Sequence, residues 1–492
     1  MTPPESTWPT DGRLAADLAE ATGRRASAAF QSSEWWVVLL VAGLLAYLPA
    51  LWGVFAFDDY SWILHNPRLE ALDFWQRRPL TLLTFAANLR FTTSHPVGFH
   101  VVNIALHLAN CALVYVVIGR TLPRGGASPA AAAAGAAMFL LHPAQTGAVT
   151  YVSGRATALM TFWLLLGHLA ALRGLEGNSR RRVALSLGAF ALAVASKETA
   201  LAYPAMWIGW LVFGKGLALG RSLRLATPHL LASLILLVAM ILHPGYRSFL
   251  GEAAATGRLA ATRAGQVEQR LGLGFCFNDD QPRMDSCTAR RVEGVAGLAR
   301  YLVSPWRITI DPGRRAADAA DLLMVALVGL AAWAALRTRP SAVAAGAAWI
   351  IAALLPTNLV LVRSDPVSDR LLYLPMVGIA LVAAAVAGRI ATRAVRPVAA
   401  VCVCSALLAL AVLTWQRNQQ YSSETALWED AVAKNAGNAR ARYNLGFAYE
   451  SQGDLDAAES QYRAALRLRP QLPWAAQGLR RVELEREGEE QP

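Results

Sequence analysis

Eleven stretches of this chain are apolar over lengths near the roughly 20 residues that an α-helix needs to cross a bilayer. They fall at about 35–55, 99–119, 128–148, 157–172, 183–196, 200–214, 227–243, 319–336, 342–360, 371–388 and 397–414. Backbone amides and carbonyls inside hydrocarbon must pair within their own segment, so such runs can only be helices or barrel strands. Their length and continuous apolarity favour helices. The expected fold class is therefore all-α, a polytopic membrane protein of about 11 transmembrane helices. Composition agrees. Only 16% of the 492 residues are charged and 55% are hydrophobic, whereas a soluble domain carries about 25% charged residues.

Lysine and arginine set the expected orientation. The N-terminal segment holds Arg13, Arg24 and Arg25, and every second loop after it is basic. Those loops carry Arg120 and Arg124; Arg173, Arg180, Arg181 and Arg182; Lys215, Arg221 and Arg224; Arg337 and Arg339; and Arg389, Arg393 and Arg396. This alternation follows the positive-inside rule. It supports the short run at 183–196, because deleting that span would invert every later loop. An odd number of spans puts the N-terminus in the cytoplasm and the C-terminus outside. The net charge of +12 is accounted for by these loops, and no basic patch interleaved with exposed aromatics suggests nucleic acid. The first 30 residues have no apolar core or cleavage site of a signal peptide, so the first span is expected to stay as an anchor.

Three regions result: a cytoplasmic tail at 1–34, a transmembrane domain at 35–415 with large outer loops at 56–98 and 244–318, and an extracytoplasmic region at 416–492. The outer face also receives residues 142–156. Cys276 and Cys287 lie in the second large loop, in "CFNDDQPRMDSC", where an oxidising compartment favours a disulfide; no nearby histidine or CxxC completes a metal set. In the C-terminal region "ARYNLGFAYESQGDLDAAESQYRAALRLRP" has the spacing of a tetratricopeptide unit, with Leu445, Gly446, Tyr449, Ala458, Tyr462, Ala465 and Pro470 at its key positions. A truncated repeat precedes it and a capping helix follows. Fewer than three repeats rarely stand alone, so this short array is expected to dock on the membrane domain and to bind a protein acceptor or partner.

The outer face collects the polar residues. Asp58 and Asp59 end the first span side by side. His100, Asn103, His107 and Asn110 share one helix face. Arg155 opens the fourth span, Lys197 and Glu198 end the fifth, and Arg363, Asp369 and Arg370 precede the tenth. Polar groups at membrane depth mark sites. An acid can take a proton from a hydroxyl, and cations such as Arg78, Lys197, Arg363 and Arg370 can stabilise an anionic leaving group. Adjacent residues such as Lys197 and Glu198 do not face each other on a helix, so at least one needs another partner.

Taken in order, "DD" at 58–59, "RRPLTLLTFAANL", "FHVVNIALHLAN", "HPAQTGAVTYVSGR", "SKETALAYP", "SDRLLYLP" and the C-terminal repeat resemble the GT-C glycosyltransferases, among them the TMTC-type protein O-mannosyltransferases and their shorter bacterial relatives. The resemblance covers most of the chain. It implies a multi-pass protein of a bacterial inner membrane with a periplasmic C-terminus. It also implies that a single sugar, a hexose such as mannose, passes from a polyprenyl-phosphate carrier to an extracytoplasmic hydroxyl, of protein Ser or Thr, with inversion. Asp58 or Asp59 takes the role of catalytic base. Arg78, His100, Arg155, Lys197, Glu198, Arg363 and Arg370 become candidates for holding the donor phosphate or substrate, Arg370 first. No cofactor is required; a divalent metal at Asp58 and Asp59 is the weaker reading. Gly147 and Thr157 stand where acidic residues are common in this family, and Asp369 where Glu is commoner. The rival readings are a transporter, or a catalytically inactive scaffold that binds envelope proteins through its repeat unit.

Overall fold

The computed structural model describes residues 34–71, 77–122, 129–247, 275–276, 287–313, 318–362, 367–390 and 396–489. All eleven apolar runs are helical over most of their length. They correspond to α1 (Trp35–Tyr47), α3 (Pro96–Thr121), α4 (Pro129–Leu141), α5 (Arg155–Glu176), α6 (Arg180–Ser196), α7 (Tyr203–Gly209), α8 (Leu219–Leu242), α10 (Ala319–Arg337), α11 (Ala342–Leu354), α12 (Pro375–Ile390) and α13 (Arg396–Gln420). Two further helices, α2 (Pro79–Thr92) and α9 (Cys287–Val303), fold the large loops, and α14 (Glu424–Lys434), α15 (Ala439–Glu450), α16 (Leu455–Leu468) and α17 (Pro473–Glu489) form the C-terminal unit. Among the described residues, six helices are long and apolar enough by length and composition to cross a membrane: Trp35–Trp52, Pro96–Thr121, Val152–Glu176, Leu219–Leu242, Ala319–Arg337 and Pro397–Gln420. The one β pairing among them is a two-residue parallel contact of Phe275–Cys276 with Leu361–Val362.

A single apolar cluster threads α1, α3, α4, α5, α7, α11 and α12. Small residues bring these helices close, as membrane helices without a hydrophobic driving force between them require. At Gly346 on α11 and Gly378 on α12 a Cβ would run into the other residue's carbonyl oxygen, so backbone lies on backbone. The polar face of α3 supplies the specific bonds. His107 Nδ1 lies 2.8 Å from Tyr373 Oη, Asn110 Nδ2 donates to the Ala158 carbonyl at 2.9 Å, and Asn103 Nδ2 donates to the Val149 carbonyl at 2.9 Å. These bonds tie α3 to its neighbours. The opposite rim carries Arg120 paired with Glu176 at 3.1 Å. Helices α8, α10 and α13 leave most of their apolar surface exposed, which suits contact with lipid.

The sequence places the end of the last span near 414, but α13 stays helical to Gln420. Its polar turn can remain helical because its side chains find partners. Asn418 Nδ2 donates to the Ala46 carbonyl at 2.8 Å, Asn418 Oδ1 accepts from Thr150 Oγ1 at 2.5 Å, and Arg417 Nη1 reaches Asp430 at 3.1 Å. The first helix of the repeat unit therefore starts four residues after Gln420, at Glu424, rather than at 416.

In that unit Trp428, Ala431, Ala441 and Leu445 pack α14 on α15, and Ala458, Tyr462 and Ala465 pack α16 against α17. A Cβ at Gly446 would meet the Tyr462 ring, which is the close approach its spacing implied. The unit docks on the membrane domain through the strap 305–313. Lys434 Nζ donates to the Ile308 carbonyl at 2.7 Å, Asn435 Nδ2 to the Pro312 carbonyl at 2.7 Å, and Arg440 forks onto Asp311 at 2.6 and 2.8 Å. Against the burial that would raise it, Arg440 holds the Asp311 carboxyl below the usual range. Asp311→Ala should release the unit: losing a forked, partly screened pair costs about 1–3 kcal/mol. Limited trypsin cleavage of the detergent-solubilised full chain should then cut the C-terminal unit away faster than in the parent, and equal rates would mean the strap does not hold it.

Candidate functional site

Residues 53–59 turn away from the rim after Trp52 and close on themselves: the Asp59 amide donates to the Ala56 carbonyl at 3.0 Å, and the Ala56 amide donates to Asp59 Oδ2 at 3.1 Å. A second segment, Tyr151–Gly154, grips this turn as it enters α5. The Ser153 amide and hydroxyl both donate to Asp59 Oδ1, at 2.7 and 2.5 Å, and the Asp58 amide donates to Tyr151 Oη at 3.1 Å. Asp59 is fully buried with three donors on its carboxylate. Burial pushes its pKa up to about 7, although the Ser153 hydroxyl and the Ala56 and Ser153 amides pull the other way.

Asp58 is different. Its side chain is 36% exposed, and Oδ2 lies 3.7 Å from Arg370 Nη1. The Arg370 guanidinium stands over the Tyr151 ring, 5.8 Å from its centroid. The two adjacent carboxylates thus have separate situations. Asp59 is gripped by backbone and serine, while Asp58 is open to solvent and faces a cation.

Arg370 is itself anchored by its neighbour. Asp369 is buried, and its Oδ1 accepts the Arg370 amide at 2.8 Å. Burial raises the Asp369 pKa, opposed by Arg417 and Arg370. The Asp369 carboxylate occupies the space that any side chain on residue 147 would need, since a Cβ at Gly147 would collide with it. The absence of an acid at 147 and the acid at 369 are therefore one steric fact.

The other cations are already partnered. Arg78 grips Glu198 with both arms, at 2.8 and 2.5 Å. Against the burial that would raise it, this guanidinium holds Glu198 well below the usual carboxylate range. The charge of Asp58 also reaches Arg78. Lys197 Nζ donates to Thr157 Oγ1 at 2.6 Å. Lys197 and Glu198 thus turn to different partners, as their adjacency required. Arg155 is fully buried, donating to Asn103 Oδ1 at 2.6 Å and to the Thr84 and Phe99 carbonyls at 3.2 and 3.1 Å. His100 is buried, with Nε2 3.1 Å from the Gly53 carbonyl. Arg155 and His100 therefore brace the helices, and Asp58, Arg370 and the Arg78–Glu198 pair surround the rim. Arg363 lies outside the described residues, as do the side chains of Cys276 and Cys287.

Sequence reasoning did not find Ser153, whose position two residues before Arg155 in "YVSGR" was the available signal. Nor did it find the cleft beside Arg370, lined by Phe57, Tyr151, Ile310, Asp369, Arg370 and Trp428. Its walls come from five distant segments.

Fold and site define a polytopic membrane protein with an acid–cation centre at one rim, roofed by a docked helical repeat. The C-terminal unit matches the tetratricopeptide repeat model at residues 439–472. Over most of its length the chain's homologues are TMTC-type protein O-mannosyltransferases. A Caenorhabditis elegans protein O-mannosyl-transferase is 24% identical over 88% of this chain and 62% of its own length. The Mus musculus protein O-mannosyl-transferase TMTC4 is 27% identical over 87% of this chain and 66% of its own length, and Mus musculus TMTC3 is 25% identical over 88% and 51%. The chain thus spans about half to two thirds of the curated relatives it matches. No solved structure matches it.

The buried carboxyl predicts a pH signature. With its folded pKa raised to about 7 from an ordinary value of about 3.9, Asp59 binds more proton in the folded state between those limits. Its contribution to stability is present at the acid end and is lost as pH rises through that window. The unfolding midpoint of the parent should therefore fall between about pH 5 and pH 7 relative to Asp59→Asn, which has no proton to lose there. Parallel pH profiles for the two proteins would contradict a titrating, buried Asp59.

Proposed function

We propose that this chain is a membrane glycosyltransferase of the GT-C type. It moves a single hexose, mannose by analogy with the names its relatives carry, from a polyprenyl-phosphate carrier to a Ser or Thr hydroxyl of a protein acceptor outside the cytoplasm. The observation that carries the reading is the exposed Asp58 carboxylate 3.7 Å from Arg370, at the end of an apolar helix, with Asp59 buried beside it. The alternation of basic loops supports placing this rim on the outer, periplasmic side of a bacterial inner membrane.

In this reading Asp58 is the base. It takes the proton of the acceptor hydroxyl as the oxygen's lone pair bonds to the anomeric carbon. The bond from that carbon to the carrier phosphate breaks with its electron pair remaining on the phosphate, and the attack from the opposite face inverts the centre. The transition state has the oxocarbenium character of other inverting glycosyl transfers. Arg370 holds the phosphate and neutralises the charge it gains, and Arg78, fixed by Glu198, flanks it. A phosphate neutralised in this way leaves readily, so the mechanism needs no general acid and no resident metal. Asp59 is a positioning residue: it fixes the turn that presents Asp58.

Asp58→Asn should lower the turnover of sugar transfer by about 10²–10⁴ in a protein that still purifies as the parent does. Arg370→Ala should chiefly raise the KM for the lipid-linked donor. Both quantities are read in a reconstituted transfer assay with a mannosyl-phosphoryl-polyprenol. Undiminished transfer by Asp58→Asn would overturn Asp58 as the base, and a parent that transfers no sugar would leave the scaffold as the better reading.

A further inference from the structure

The buried carboxylate of Asp369 has a nearer claim on its neighbour than it uses. Its Oδ1 accepts the Arg370 amide at 2.8 Å, but the Arg370 guanidinium turns away, over the Tyr151 ring and 3.7 Å from Asp58 Oδ2. The cation that acts most strongly on Asp369 is Arg417, near the end of α13. Both side chains are buried. The Arg417 guanidinium stands over the Tyr421 ring, 5.1 Å from its centroid, and Tyr421 lines the same cleft as Asp369. Tyr301 and Tyr421 each feel both charges. No direct hydrogen bond joins acid and guanidinium, since Asp369 Oδ2 has no partner among the described residues. Charges removed from water are weakly screened, so they couple without contact.

Arg417 is held in turn from the repeat unit. Its Nη1 donates to Gln420 Oε1 at 2.6 Å and to Asp430 Oδ2 at 3.1 Å. Gln420 Nε2 donates to Asp430 Oδ1 at 2.8 Å, and Lys434 Nζ lies 2.7 Å from the same oxygen. Charges therefore alternate from the unit to the rim: Lys434, Asp430, Arg417, Asp369, Arg370 and Asp58. A carboxylate buried without a cation is costly. With a neutral residue at 417, the cation that remains to Asp369 is Arg370. Its guanidinium would be drawn inward, away from Asp58 and from an anion at the rim. Arg417 supplies the charge from behind and leaves Arg370 facing outward.

We propose that Arg417 is a positioning residue for sugar transfer: by balancing Asp369 from behind, it keeps the Arg370 guanidinium free for the donor phosphate. Because Asp430 lies on α14, the docked repeat unit orients the guanidinium that does this. The inference rests on the glycosyl-transfer reading and adds to it a residue that touches neither substrate.

The test measures transfer by the full chain in nanodiscs, with mannosyl-phosphoryl-undecaprenol as donor and a synthetic Thr-containing peptide as acceptor. Arg417→Gln keeps a hydrogen-bond donor for Asp430 and removes the charge. It should raise the donor KM about tenfold, equivalent to about 1.4 kcal/mol, with the peptide KM and the kcat at saturating donor near those of the parent. Arg417→Lys should recover most of the loss. Asp369→Asn keeps an acceptor for the Arg370 amide and removes the demand for a cation, so adding it to Arg417→Gln should bring the donor KM back toward the parent's. A residue that served the fold alone would not be rescued in this way, and its losses would accumulate in the double variant. Accumulated losses, or a donor KM untouched by Arg417→Gln, overturn the proposal. Should Arg417→Gln fail to fold, the double variant is compared with Asp369→Asn: equal donor KM values support the proposal, and a further rise on losing Arg417 overturns it. A parent that transfers no sugar overturns the transfer reading and this inference with it, whereas an active parent with unaltered variants overturns the inference alone.

Discussion

One carboxylate in this structure is buried so that its neighbour can be left open. Removing Asp59 from water is costly unless donors converge on it, and three do, two of them from Ser153 at the entry to α5. That convergence ties the turn after α1 to the turn before α5, and the Asp58 amide bonded to Tyr151 tightens the same joint. Asp58 then has no freedom to swing into the bundle. The helices behind it are locked by the same kind of polar bond, with Arg155 drawing Asn103, Thr84 and Phe99 together beneath the rim.

The repeat unit is fixed to that rim rather than tethered beyond it. It is joined to α13 by three residues, and the strap 305–313 binds the connection between its first two helices through Lys434, Asn435 and Arg440. The Val54 amide donates to the Tyr421 carbonyl at 2.9 Å, which connects the segment carrying Asp58 to the base of the unit. Buried Arg417 reaches Asp430 of α14 on one side and acts electrostatically on Asp369 on the other. A short array that would be marginal alone gains its order from these contacts.

Much of this was legible in the chain. Hydrocarbon imposes length and apolarity on a helix, so the apolar runs and their order could be read directly. The repeat was legible because Gly446 and Tyr462 must meet at a set spacing. The polar face of α3 was legible from its period. The division of labour between Asp58 and Asp59 was not, because adjacent residues share their local sequence and differ only in what a distant segment brings to them. Ser153 makes that difference, and Arg370 completes it. The pairing of Arg78 with Glu198 was hidden for the same reason, since each looked like an available charge until the fold set one against the other. The helix end at Gln420 was missed because charged and amide side chains normally stop an apolar run, and here Ala46, Thr150 and Asp430 give them partners.

The acid and the cation of the candidate centre come from opposite ends of the membrane domain, Asp58 after the first helix and Arg370 before α12. A ribosome feeding this chain into the bilayer delivers the carboxylate early and the arginine late. Every shorter insertion intermediate therefore carries the carboxylate without the guanidinium that faces it in the finished fold. The pair is assembled only when α12 joins α4 and α11, so the chain's own biosynthesis leaves it incomplete until the bundle is whole.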